Sequence, residues 1–164
     1  MFFGRTTMKA ELVNPFIESI QDIFSTMLSS EAKRGPVGLS DSNSGKGDLV
    51  ALIGISGRAT GTCALSLPAT TALNMIGQLM GSEYDSINDE VTDGVAEMVN
   101  MLAGGAKAKM NSNGEKPMEL SLPTVVSGEN YKVKYPTKTI WLEVPFDSSL
   151  GPFIVRITFE EEPE

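Results

Sequence analysis

The sequence predicts an α/β (α+β) domain in which an antiparallel sheet packs against two long helices and a shorter one. Three features point there. The 164 residues, 41% hydrophobic and 21% charged, fit one domain that can bury a real core. Apolar residues recur at helical spacing in three segments and form strand-like runs bounded by turn residues elsewhere. The order helix, strand, loop, hairpin also occurs twice, over residues 14–67 and 88–159, as in one domain of two related halves, about 8–82 and 83–160, ahead of an acidic tail at 161–164.

Taken in order, residues Met8 to Val13 read as a short strand. "NPFIESIQDIFSTMLSS" then puts Phe16, Ile20, Ile23, Phe24 and Met27 on one side, with Asn14 as N-cap and Pro15 at the first helical position, and predicts a helix over 14–30. "RGPVGL" reads as a short strand and "SDSNSGKG" as a polar loop. "LVALIGIS", "GRATG" and "TCALSLP" form a hairpin. A helix over 69–80 stops at Gly81. After "SEYDSIN" a long helix runs over 88–111, capped by Asn88 or Ser86, with an acidic first turn that suits the helix dipole. "MELSLPTVVSG", "TIWLEVPF" and "GPFIVRITF" are three further strands, the last two joined by "DSSL".

Composition narrows the chemistry. A net charge of -8 with 13 basic residues opposes both nucleic acid and an anionic membrane surface, which attract basic faces. The expected partners are proteins or small cations. One cysteine excludes an internal disulfide, and the absence of histidine removes Ser-His triads and His-ligated zinc. The N-terminus has no apolar run of signal-peptide length, and nowhere do about 18 apolar residues run together, so a cytoplasmic location is expected. Met8 is an alternative start to Met1.

The long helix carries the candidate site. At about 100° per residue, Glu97, Asn100, Gly104 and Lys107 fall within about 40° of Asp93, while Val91, Val95, Met98, Val99, Leu102 and Ala106 cluster opposite. A charged outward stripe is ordinary on a surface helix. Here, however, Asn100 is a poor mid-helix residue, the pair Gly104 and Gly105 costs about 1 kcal/mol each relative to alanine, and Gly104 lies one turn beyond Asn100 on the same face. Such a helix clears space for another molecule and leaves a carboxamide protruding beside a carboxylate. A carboxamide is neither base nor nucleophile at neutral pH, but it can hold a water in line for attack on phosphorus, and Glu97 can pair with a cation on the partner.

The pattern "DGVAEMVNMLAGGAK", with "NPFIESIQDIFSTML" before it and "LSLPTVVSG" after it, resembles the CheX branch of the CheC/CheX/FliY phosphatases, which dephosphorylate the chemotaxis response regulator CheY. The likeness runs from about Met8 to Phe159. It implies a CheC-like pseudo-symmetric fold in which Glu97 pairs with a lysine of the receiver active site and Asn100 orients the attacking water. Asp93, Met101, Gly104 and Lys107 would face the receiver. The resemblance also implies that Mg²⁺ and the phosphorylated aspartate belong to the receiver, so this chain needs no cofactor or metal, and that the protein is a homodimer. Set over "DGVAEMVN", the segment "NPFIESIQ" places Asn14, Glu18 and Gln21 at the positions of Asp93, Glu97 and Asn100. Glu18 and Gln21 thus stand as a degenerate first copy, and a single site is expected. A non-catalytic adaptor that binds a receiver, and a structural part of a flagellar or chemosensory complex, are the rival readings; the retained Glu97 and Asn100 favour the enzyme.

Remaining signals have plainer readings. The glycines of "GKG" at 45–47 and of "GISGRATG" match neither the P-loop nor the dinucleotide pattern and are turn glycines. Lys132, Lys134 and Lys138 suit a solvated edge. Met75, Met80, Met98, Met101 and Met110 read mostly as core filler, Trp141 and Phe153 as core with dimer contacts as the second reading, and Cys63 as an inert buried thiol.

Overall fold

A computed structural model of the chain describes residues 2–40, 48–57, 60–110, 118–128 and 141–160. The loop at 41–47 with its Gly-Lys-Gly, the turn positions 58–59, Lys132, Lys134, Lys138 and the tail at 161–164 lie outside the described residues. Among those described there are three helices, α1 (Phe2–Met27), α2 (Ala69–Met80) and α3 (Asp89–Met110). Eight strands accompany them: β1 (Lys33–Arg34), β2 (Gly38–Ser40), β3 (Leu49–Ser56), β4 (Thr60–Leu67), β5 (Glu119–Leu120), β6 (Thr124–Ser127), β7 (Trp141–Asp147) and β8 (Phe153–Glu160).

All strand pairs are antiparallel, in the order β1-β7-β8-β4-β3-β5, with β2 also on β7 and β6 also on β3. β4 and β8 meet at the centre with Cys63 opposite Ile157 and Leu65 opposite Val155. The short strands pair crosswise: β1 and β2 add to the hairpin β7–β8, and β5 and β6 add to the hairpin β3–β4. Side chains alternate between faces along each strand. Leu49, Ala51, Ile53 and Ile55 of β3 therefore enter one core with Cys63, Leu65 and Leu67 of β4, Val144 and Phe146 of β7, and Phe153, Val155 and Ile157 of β8. The three helices cover that face with Phe16, Ile20 and Phe24, Met75 and Ile76, and Val95, Met98 and Leu102, all buried. Phe24 and Phe146 each stack with Phe153, at 5.1 and 5.0 Å between ring centroids.

Trp141 is buried as expected, but with Val50 and Ala64 in a separate small cluster, since alternation puts it on the face opposite Val144. The Arg156 guanidinium lies 5.0 Å from the Trp141 ring centroid and its Nε 2.9 Å from Glu143 Oε1. Met75 and Met98 are fully buried, whereas Met80 is 58% exposed at the end of α2 and is not core. Cys63 is buried, and burial pushes its thiol pKa well above the ordinary value.

Both expected hairpins, α2 and α3 form where the sequence places them, and Gly81, in the left-handed region at φ 66°, ends α2. The start of the chain differs. Met8 to Val13 is helix, not strand, and Asn14 and Pro15 lie inside α1 instead of capping it. Proline at 15 has no N–H to donate back to residue 11. The loss is confined to one rung, while Val13, Phe16 and Ile17 on either side of it are buried in one core, so tertiary packing overrides the local start signal. α1 also stops at Met27, not at residue 30: Ser29 adopts φ 47° and the Ser30 amide donates back to the Phe24 carbonyl over 3.0 Å. "RGPVGL" yields two short strands interrupted at Gly35 to Val37, and "MELSLPTVVSG" breaks at Ser121 to Pro123 into β5 and β6. Ser121 holds the second break to the sheet, its Oγ accepting the Gly54 amide at 2.8 Å and its own amide donating to the Gly54 carbonyl at 3.0 Å.

Candidate functional site

α3 owes its start to Asn88, whose Oδ1 accepts the Val91 amide at 2.9 Å. Asp89 and Glu90 occupy the first turn, and Lys107 and Lys109 the last, each sign where the helix dipole favours it. The core face is buried along its length, from Val91 and Val95 through Met98, Val99 and Leu102 to Ala106. Opposite it, Asp93 and Glu97 are exposed and Asn100, Met101, Gly104 and Lys107 half-buried. The side chains of Glu97 and Asn100 make no hydrogen bond or ion pair with any described residue. Both are available to a second molecule.

The two central glycines of α3 have different causes. A methyl at Gly105 would overlap Ser19 Oγ, with Ser19 Cβ at 3.2 Å, so Gly105 is there because α1 packs on it. A methyl at Gly104 would meet nothing within 4 Å. Nothing among the described residues calls for glycine at 104, and its about 1 kcal/mol cost relative to alanine falls on the same face as Glu97 and Asn100.

On α1, the residues that the sequence sets against this pair are in a different state. Glu18 is exposed and Gln21 half-buried, but Lys109 of α3 reaches over Glu18 and the nearby Asp22, 3.0 Å from Asp22 Oδ2 and 3.9 Å from Glu18 Oε2. Gln21 Nε2 donates to the Ala32 carbonyl over a long 3.5 Å. Thus the structure brings Asp93, Glu97, Asn100, Gly104 and Lys107 onto one free face and leaves Glu18 and Gln21 engaged within the chain.

Supporting contacts come from residues with no local signal in the sequence. Ser19 Oγ donates to the Leu102 carbonyl at 2.8 Å across 83 positions. Asp48, just before β3, accepts the Ala69 amide at 2.8 Å and so caps α2 from a distance, while Pro68 at the N-cap makes no side-chain cap bond. Thr71 and Asn74 of α2 donate to the carbonyls of Pro152 and Leu150 at 2.9 and 3.0 Å, and Gln78 to that of Leu28 at 3.1 Å. Only the doubled glycine hinted at the Ser19 contact. Among the described residues, no group of three or more His, Cys, Asp or Glu comes together to hold a metal ion, and no helix is long and apolar enough to cross a membrane.

The family model of the chemotaxis phosphatase CheX matches residues 49–147. Over 128 residues the chain is 32% identical to the CheY-P phosphatase CheX of Thermotoga maritima, covering 77% of this chain and 82% of that protein. A CheC-like superfamily protein from a Shewanella species (strain PV-4) superposes with a TM-score of 0.82 at 33% identity, over 92% of this chain and 97% of that one. A chain of the CheX–CheY–BeF₃–Mg²⁺ complex from Borrelia burgdorferi superposes with a TM-score of 0.76 at 25% identity, over 91% and 97% of the two chains.

Proposed function

This chain belongs to the CheX family of chemotaxis phosphatases, and from that premise we propose that it hydrolyses the aspartyl phosphate of a CheY-type receiver domain through Glu97 and Asn100. The observation that carries the reading is the free state of this pair. A carboxylate and a carboxamide one turn apart on α3 have no hydrogen-bond or ion-pair partner among the described residues and stand beside a glycine whose added methyl would meet none of them within 4 Å.

The chemistry follows from what each group can do. Glu97 accepts a hydrogen bond from a receiver cation and holds the two proteins in register. Asn100 both accepts and donates, so it orients a water in line with the scissile phosphorus–oxygen bond. The water oxygen bonds to phosphorus, the aspartate leaves as a carboxylate, and the products are inorganic phosphate and a proton. Asp93, Met101, Gly104 and Lys107 complete the docking face. The receiver supplies Mg²⁺ and the phosphoryl group, so the chain itself works without a cofactor. This is catalysis by placement, for which one preorganised polar group is worth roughly 10² to 10³ in rate.

A cytoplasmic location and a homodimer joined through the sheet belong to the same proposal. Leu39 in β2 and Leu122 between β5 and β6, 71% and 89% exposed, supply apolar surface at the two flanks for such a contact, and sedimentation equilibrium tests it.

The deciding experiment follows the decay of a phosphorylated CheY receiver in Mg²⁺ with the wild-type protein, with Asn100→Ala and with no addition. Acceleration by wild type alone is expected. Binding without acceleration would make the chain a receiver-binding adaptor instead.

A further inference from the structure

We infer that Ser19 and Gly105 are positioning residues: their contact, together with that of Gly94 and Ile76, sets the axial rotation of α3 and so the distance by which Glu97 and Asn100 project. The inference rests on those two residues being the reacting pair.

Gly94 and Gly105 lie three helical turns, about 16 Å, apart and within about 20° of each other around the axis, with Glu97 and Asn100 between them along its length. Each is a point of close approach by a neighbouring helix. A Cβ at Gly94 would stand 2.9 Å from two carbons of Ile76 in α2, and one at Gly105 would overlap Ser19 Oγ of α1. α3 is therefore clamped along one flank, at one end by α2 and at the other by α1. Free side chains on the adjacent face inherit whatever angle that clamp imposes.

The α1 end of the clamp is also directional. Ser19 is only 3% exposed, and its hydroxyl donates to the Leu102 carbonyl at 2.8 Å. A mid-helix carbonyl already accepts one amide and has a second lone pair to offer. The bond therefore caps nothing; it ties one helix to the other between Asn100 and Gly105. With a helix radius of about 5–6 Å including side chains, a turn of about 10° moves a side-chain tip by about 1 Å. A misplacement of that size costs on the order of 10²-fold in rate, far beyond its effect on an adaptable docking face.

The test uses a CheY receiver phosphorylated with acetyl phosphate in Mg²⁺ and measures kcat and KM for wild type, Gly105→Ala, Ser19→Ala, the double variant Ser19→Gly with Gly105→Ala, and Asn100→Ala, each checked for folding by circular dichroism. Gly105→Ala is expected to lower kcat by about ten- to a hundredfold with KM changed by less than about threefold. The double variant moves the carbon from α1 to α3, where the nearest Ser19 atom left is Cα at 3.9 Å, and is expected to recover kcat to within about threefold of wild type. Ser19→Ala, which loses only the tie to Leu102, is expected to lower kcat by a few-fold at constant KM. A wild-type kcat in Gly105→Ala, or a folded double variant no better than the single one, overturns the proposal. Should Gly105→Ala fail to fold, an unchanged kcat in Ser19→Ala overturns it. An Asn100→Ala protein as active as wild type is a different result: it removes the reading beneath, and this one with it.

Discussion

Lys109 Nζ lies 3.0 Å from Asp22 Oδ2, so the helix that presents the free pair Glu97 and Asn100 also supplies the cation that engages the matching stretch of α1. The carboxylates of Glu18 and Asp22 are 62% and 63% exposed, and ion pairs in such settings contribute about 0–1 kcal/mol. Lys109→Ala is accordingly expected to lower stability by less than about 1 kcal/mol in urea denaturation. Combined with Asn100→Ala, it should restore no receiver dephosphorylation. Activity in that double variant would mean that Glu18 and Gln21 form a second working site held shut by Lys109.

Glu97 and Asn100 should separate binding from chemistry. Asn100→Ala is expected to cut the hydrolytic rate by roughly 10² to 10³ and to leave the affinity for a phosphorylated receiver within a few-fold of wild type. Glu97→Ala is expected to weaken binding by about 2 kcal/mol, the low end of the cost of truncating a buried interfacial charge pair. Fluorescence anisotropy with single-turnover decay measures both, and equal losses of both properties in both variants would contradict the division.

Gly104→Ala sets stability against function. Since its methyl would meet nothing within 4 Å, the replacement should stabilise α3 by up to about 1 kcal/mol and raise the melting temperature. If the open space is reserved for the receiver, kcat/KM should fall in the same protein. A variant both more stable and fully active would show that the clearance serves no partner.

Tyr84 provides a pH signature at the start of α3. Its hydroxyl donates to Glu90 Oε2 at 2.7 Å, and that bond, which only the neutral phenol can make, raises its pKa above the ordinary 10.0. Because the folded value lies above the unfolded one, the stabilisation is complete below the ordinary phenol range and is lost as pH rises through the folded value. Ultraviolet titration of wild type against Tyr84→Phe should show the raised phenol, and Glu90→Gln should bring it down. Titration at the ordinary value in wild type would mean that the bond to Glu90 does not persist in solution.

Features that repeat within one element were readable from the chain, and those set by distant neighbours were not. α3 was visible in full, from the Asn88 cap to the opposed stripes of Asp93 and Val95, because period, cap and dipole agree within 22 residues. Asn14 and Pro15 carry an equally good start signal and mislead, since the burial of Val13 across the proline depends on a sheet that local spacing does not reveal. The strand breaks at Gly35 and Ser121 fall in runs of two to four residues, too short for alternation to register. The cost of the doubled glycine was legible and its cause was not: one of the pair faces open space, and the other faces Ser19, a partner no sequence window contains.

The crosswise pairing of the short strands has a consequence for how such a molecule can change. β1 and β2 complete the sheet of the later hairpin, and β5 and β6 that of the earlier one, so each half is the other's missing edge and neither is a separable module. Selection for a folded protein therefore holds both halves in place whatever their helices do. One helix can then commit its polar side chains to internal contacts, as α1 does where Asp22 meets Lys109, while its hairpin goes on as indispensable masonry for the other half.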